Sequence, residues 1–162
     1  MKSVFSIVIA AFFASTTFAQ VVSTDVPYFT VEDSITLSFD SNEGNGALSG
    51  TNTVYLHTGL ITGSSDYAGD WHRQVGLWDE TEPEQLMNNV GGGVHEKGIN
   101  IESFYNTGTW DGARAMAMVF RNADGSLVGQ NANGTDIYIP IFESTTDLDA
   151  VILDPIVDGK LV

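Results

Sequence analysis

The chain has 162 residues and a formal net charge of −15, from 21 Asp plus Glu against 6 Lys plus Arg. A surface this acidic repels nucleic acid and anionic lipid, since both require a cationic footprint. Cysteine is absent, which excludes disulfides, thiolate metal sites and a cysteine nucleophile together.

Met1-Lys2-Ser3 makes a short basic start, and Val4 to Ala14 is an apolar run interrupted only by Ser6. The run is too short to span a bilayer. Thr17-Phe18-Ala19 then puts small side chains at the two positions a signal peptidase reads. Residues 1–19 are therefore expected to be a cleaved signal peptide, with Gln20 as the mature N-terminus. The protein is expected to be secreted, extracellular or at the cell surface, with no membrane span further on. What remains is about 140 residues, room for one domain with a substantial core and not for two. A secreted domain without disulfide staples needs that core, which favours a packed sandwich over a loop-rich scaffold.

The first strand signal is Ser34-Ile35-Thr36-Leu37-Ser38-Phe39, where apolar and hydroxyl residues alternate with period two. Asp40 to Gly46 is turn-forming almost throughout, and Thr53 to His57 resumes β-type residues. Trp71 to Val75, Gly93 to Ile101, Arg114 to Phe120 and Thr135 to Ile141 are further predicted strands between Gly, Asn and Asp clusters. Thr81 to Met87 and Asn100 to Tyr105 are each predicted to form a helical turn or two, but no segment sustains an apolar face at helical spacing. The expected fold class is all-β: a single antiparallel, immunoglobulin-like β-sandwich over residues 20–143. From Ser144 the composition changes. Ser144-Thr145-Thr146-Asp147 reads as a linker and Ala150 to Pro155 as a fresh strand, so residues 144–162 are expected to be a linker and the start of a following domain of a longer chain.

Little in the sequence suggests catalysis. There is no Gly-x-Ser-x-Gly elbow and no evident Ser, His and Asp grouping. His57, His72 and His95 lack the spacings of a zinc site. Of these, His57 beside Tyr55 on one strand face is the best candidate ligand contact, and His72 the weaker one. Asp40-x-Asn42-x-Gly44 and Asn122-Ala123-Asp124-Gly125 carry the alternating oxygen donors that hold Ca²⁺, without the twelve-residue EF-hand pattern. The competing reading is Asx turns bonding their own backbone. No cofactor is expected, and a structural Ca²⁺ stays open.

The tryptophans are more informative. Trp71 and Trp78 lie in a polar, Gly-containing stretch from Ser64 to Glu84, and Trp110 in the loop Gly108 to Gly112, whereas a core tryptophan normally sits among apolar alternation. Exposed rings stack on the apolar face of a pyranose, at about 50 Å² buried and on the order of 1 kcal/mol each. Packed tryptophans that cap one end of the sandwich are the alternative.

The chain also carries an ordered set of motifs: Glu43-Gly44-Asn45-Gly46, then Val54 to Thr62, Asp70-Trp71, Met118 to Ser126, and Gly134 to Tyr138. In this order they resemble the N-terminal domain of bacterial secreted α-amylase-family proteins, over about residues 26–142. The layout is similar to the small starch-binding β-sandwich modules found beside amylases. By that resemblance Tyr55 and His57 correspond to the modules' aromatic and histidine strand, Trp71 or Trp78 to their following tryptophan, and Asn122 and Asp124 to their Asn and Asp loop. Two departures stand out. Leu127, Val128 and Gly129 occupy the place where the modules usually carry a loop tryptophan, and Asn88 to Lys97, with Gly91-Gly92-Gly93, is expected to be a longer, more flexible loop. The resemblance implies a non-catalytic, carbohydrate-binding accessory domain of a secreted α-amylase-family glycoside hydrolase. Its partners would be an α-glucan polysaccharide and the downstream domains of its own parent chain. The alternative is a structural spacer or adhesion sandwich in which every tryptophan is packed and nothing is bound.

Overall fold

The structure, a computed structural model, describes residues 20–78, 80–107 and 112–143. The expected signal peptide, Trp110 and the expected linker with its following strand lie outside the described residues. Among the described residues nine strands and one short helix follow in chain order: β1 (Val22–Thr24), β2 (Ser34–Asp40), β3 (Tyr55–Ile61), β4 (His72–Val75), β5 (Asn88–Gly91), β6 (Val94–Asn100), α1 (Ile101–Tyr105), β7 (Ala115–Arg121), β8 (Val128–Gly129) and β9 (Ile137–Pro140). They build two antiparallel sheets, one ordered β1-β2-β6-β5 and one ordered β4-β3-β7 with β8 and β9 both on the far side of β7. The all-β sandwich is the fold. Among the described residues no helix is long and apolar enough to cross a membrane.

Alternation along β2 sends Ile35, Leu37 and Phe39 inward, and the facing sheet contributes Leu56 and Leu60 from β3 with Met116, Met118 and Phe120 from β7. Phe39 and Phe120 stack directly across the gap, centroids 3.8 Å apart and planes 9° from parallel, which joins the two sheets at the centre of the core. At the crossover from β6 to β7, the N-cap Asn100 accepts from the Ser103 amide and starts α1. Tyr105 at its end drives its hydroxyl into the core, 2.8 Å from the Thr58 hydroxyl, which donates in turn to the Ala117 carbonyl at 2.7 Å. Burial pushes the Tyr105 hydroxyl far above its ordinary pKa.

Two local expectations are overturned. Thr81 to Met87 forms no helix. A turn closed by Gln85 N–H to the Glu82 carbonyl leads into extended chain, where Leu56 N–H bonds the Gln85 carbonyl and Met87 N–H the Val54 carbonyl. Seven residues with Pro83 near the start are too few to sustain a helix without packing, and pairing beside β3 satisfies the same backbone groups. Asn88 to Lys97, expected to be flexible, is an ordered β5–β6 hairpin. Its turn consists of Gly91, Gly92 and Gly93, all at positive φ, and Asn42 closes it by donating to the Gly92 carbonyl at 2.8 Å. At Gly93, which has φ 90°, a Cβ would lie 2.1 Å from the Asn42 amide nitrogen, so another residue would strain the backbone and displace Asn42.

Candidate functional site

β7 positions the site because it is buried on both faces. Met116, Met118 and Phe120 point into the sandwich, while Ala117, Val119 and Arg121 point outward and are nonetheless buried. Their cross-strand partners on β3 are Gly59, His57 and Tyr55. Something must therefore cover the outer face of this sheet. The cover comes from the chain between β3 and β4, which carries Trp71, and the chain after β4, which carries Trp78.

Trp71 lies over Gly59, where a Cβ would come within 3.0 Å of the Trp71 Cβ. Its indole N–H donates to the Ala68 carbonyl at 3.1 Å. Trp78 sits at the other end, its indole nitrogen against the β7–β8 turn, 2.9 Å from where a Cβ on Gly125 would stand. His57 lies between them, edge-on to Trp78 at 5.0 Å and tilted toward Trp71 at 5.8 Å. Tyr55, two residues before His57 on the same strand face, stacks its ring over the Arg121 guanidinium at 5.4 Å, and Trp78 does so from its own side at 5.7 Å. Tyr55, His57, Trp71 and Trp78 thus form one cluster, from which the Trp78 side chain remains 40% exposed.

Burial, and after it the Arg121 charge, lowers the His57 pKa below its ordinary value, so the imidazole is neutral at pH 7. Its Nδ1 is buried without a hydrogen-bond partner. A neutral imidazole carries one N–H donor and one acceptor nitrogen.

Asn122 and Asp124 sit on the β7–β8 turn that Trp78 leans against. Asn122 accepts from the Leu127 amide at 3.0 Å and donates to the Ser126 hydroxyl at 3.0 Å, while Asp124 accepts from the Ser126 hydroxyl at 2.6 Å and amide at 3.0 Å. The Ser126 bonds hold the Asp124 carboxyl below the usual range. With Ala123, and with Thr51, Asn52 and Thr53, they line an open cleft of about 390 Å³. That volume lies in the range of small-ligand sites.

In the other oxygen-rich segment Asp40 likewise accepts from the Asn42 amide at 2.9 Å, while the Asn42 side chain is taken up by the Gly92 carbonyl and the Ser49 hydroxyl. No group of three or more His, Asp or Glu placed to hold a metal occurs among the described residues. His72 pairs with Asp70 at 3.5 Å on the edge strand β4, and His95 is fully buried in the core.

Sequence reasoning missed Arg121, Gln85 and Tyr138. Tyr138 is 41% exposed beside Ala117 on the outer face, and its hydroxyl donates to the same Ala68 carbonyl that Trp71 uses, at 3.0 Å. The Ile137-Tyr138-Ile139 alternation was the available signal for Tyr138. For the covering loops it was the unalternating run Ala115 to Phe120, which marks a strand buried on both faces.

No protein-family model matches this sequence, and no curated protein is detectably similar to it.

Proposed function

We propose that this chain is a non-catalytic carbohydrate-binding domain, taking α-glucan on the outer face of the β4-β3-β7 sheet. In this reading it is an accessory to a secreted α-amylase-family glycoside hydrolase. The observation that carries the reading is the partly exposed Trp78 ring standing beside the His57 imidazole, with the polar Asn122–Asp124 turn against its edge. Flat apolar surface next to fixed polar groups is the combination that recognises a pyranose, whose ring faces are apolar and whose rim is hydroxylated. Export with removal of residues 1–19 belongs to the same reading. The chain performs no chemistry in it: tethering raises the polysaccharide concentration seen by a linked hydrolase.

The spacer reading has its own support, because Trp71 and Trp78 cover Ala117 and Val119, and Trp71 already has its N–H satisfied within the fold. Retention on insoluble starch and titration with maltoheptaose separate the two. The glucan reading expects a Kd between about 10 μM and 1 mM, equivalent to roughly 4 to 7 kcal/mol. Failure to bind starch, glycogen and maltoheptaose leaves the spacer.

A further inference from the structure

Arg121 stands where the two segments that carry most of the candidate site meet. It ends β7, and its side chain is fully buried. Nη1 donates to the carbonyls of Asn122 and Ala123, at 3.2 and 3.1 Å. Nη2 donates to the Leu77 carbonyl at 3.4 Å, to the Glu80 carbonyl, and to Gln85 Oε1 at 3.4 Å. The first group of acceptors belongs to the turn with Asn122 and Asp124, the second to the loop with Trp78. Gln85, also fully buried, ties that loop to itself through Nε2, which donates to the carbonyls of Val75 and Leu77 at 3.4 Å each.

Only arginine can do this. A buried cation is tolerated where most of its donors are met; Nε is left without a partner, but the planar guanidinium spreads its other N–H groups over a fork that reaches acceptors on two sides. The guanidinium carbon also lies over the Tyr55 ring at 5.4 Å and over the Trp78 ring at 5.7 Å. A lysine ammonium would bring the charge without the fork or the flat faces.

The geometry points to Arg121 as the positioning residue of the aromatic face: it fixes Trp78 and the Asn122–Asp124 turn relative to Tyr55 and His57. Its role in ligand affinity rests on the glucan reading above, and its role in holding the two loops does not. Maltoheptaose titration and amide hydrogen exchange, run together on the wild type, Arg121→Lys and Gln85→Ala, test both.

For Arg121→Lys the affinity is expected to fall at least tenfold. The Gln85 and Leu86 amides, together with those of 122–127, should exchange at least tenfold faster, while the Leu37 and Met118 amides keep their protection. Gln85→Ala, which removes one anchor, should lose about threefold in affinity and loosen 77–86 alone. Wild-type affinity and wild-type loop exchange in Arg121→Lys would overturn the assignment, as would loosening spread evenly over the core. Should Arg121→Lys not fold, Gln85→Ala decides: unchanged loop exchange there overturns the assignment. If the wild type binds no glucan, the glucan reading fails, and loosening confined to the two loops still establishes Arg121 as their clamp.

Discussion

The Trp78 indole meets the His57 imidazole edge-on, with ring centroids 5.0 Å apart and planes at 90°. One ring is on a strand and the other on a loop, and each limits what the other can do. Trp78 shields the imidazole and helps keep it neutral, and His57 fixes the tilt of an indole that is otherwise held by a turn glycine and a buried guanidinium.

The two tryptophans should differ in what they contribute to folding. Trp71 is the more enclosed, lying over Gly59 with its N–H bonded to Ala68, and Trp78 is 40% exposed. Trp71→Ala should therefore destabilise by about 2 kcal/mol, below the full cost of a buried ring, and Trp78→Ala by about half of that. Urea unfolding of both variants measures the difference. A larger loss from Trp78→Ala would contradict this account of the outer face.

Gly125 serves twice, as a residue at φ 70° and as the seat of the Trp78 indole edge. Gly134 has the similar φ of 77° with open space around it. Alanine at Gly134 should show the backbone cost alone, about 1 to 2 kcal/mol. Alanine at Gly125 should add a red shift in tryptophan emission, because the indole is pushed outward. Identical emission spectra from the two variants would mean that Trp78 does not rest on this turn.

Acid should weaken the fold through His95. The ring is buried, and burial lowers its pKa from the ordinary 6.5 although the Thr51 backbone and the Asp40 charge act the other way. Below that value the unfolded chain binds the proton and the folded chain does not, so stability declines as the pH falls from 6.5 toward the lowered pKa and is unaffected above 6.5. His57, shifted the same way, acts in the same direction. His95→Leu should show a smaller drop in melting temperature between about pH 7.5 and 5.5 than the wild type does. Equal drops would remove His95 from the explanation.

The described fold closes on Phe142, whose amide donates to the Phe29 carbonyl at 2.9 Å and whose ring meets Tyr28 at 5.3 Å. A chain ending at Glu143 should melt within a few degrees of the full one, since that strap is retained. A fall of more than about 5 °C, some 1 kcal/mol for a domain of this size, would place later residues in the core.

Much of the sandwich was legible because one-sided strands advertise themselves. β2 alternates cleanly, with Thr36 and Ser38 toward solvent, and β3, β4, β6, β7 and β9 fall within a few residues of their expected places. The illegible strands owe their existence to partners. β1 has three residues, β8 has two, and β5 is Asn88-Asn89-Val90-Gly91, none of which carries a periodic signal. Among candidate site residues, the aromatic ones stood out because tryptophan is unusual in polar surroundings. Arg121 did not, because one arginine at the end of an apolar strand reads as a solvated terminus until the loops that fold over it are seen.

Calorimetric titration of maltoheptaose into the wild type and Trp78→Ala, with a thermal melt of each, tests the proposed glucan-binding face most directly. The account predicts wild-type binding in the micromolar to millimolar range, at least a fivefold loss in the variant, equivalent to about 1 kcal/mol for one stacked ring, and a variant that still unfolds cooperatively. A folded wild type that gives no heat with maltoheptaose, or a Trp78→Ala domain that binds it as tightly as the wild type, would contradict it.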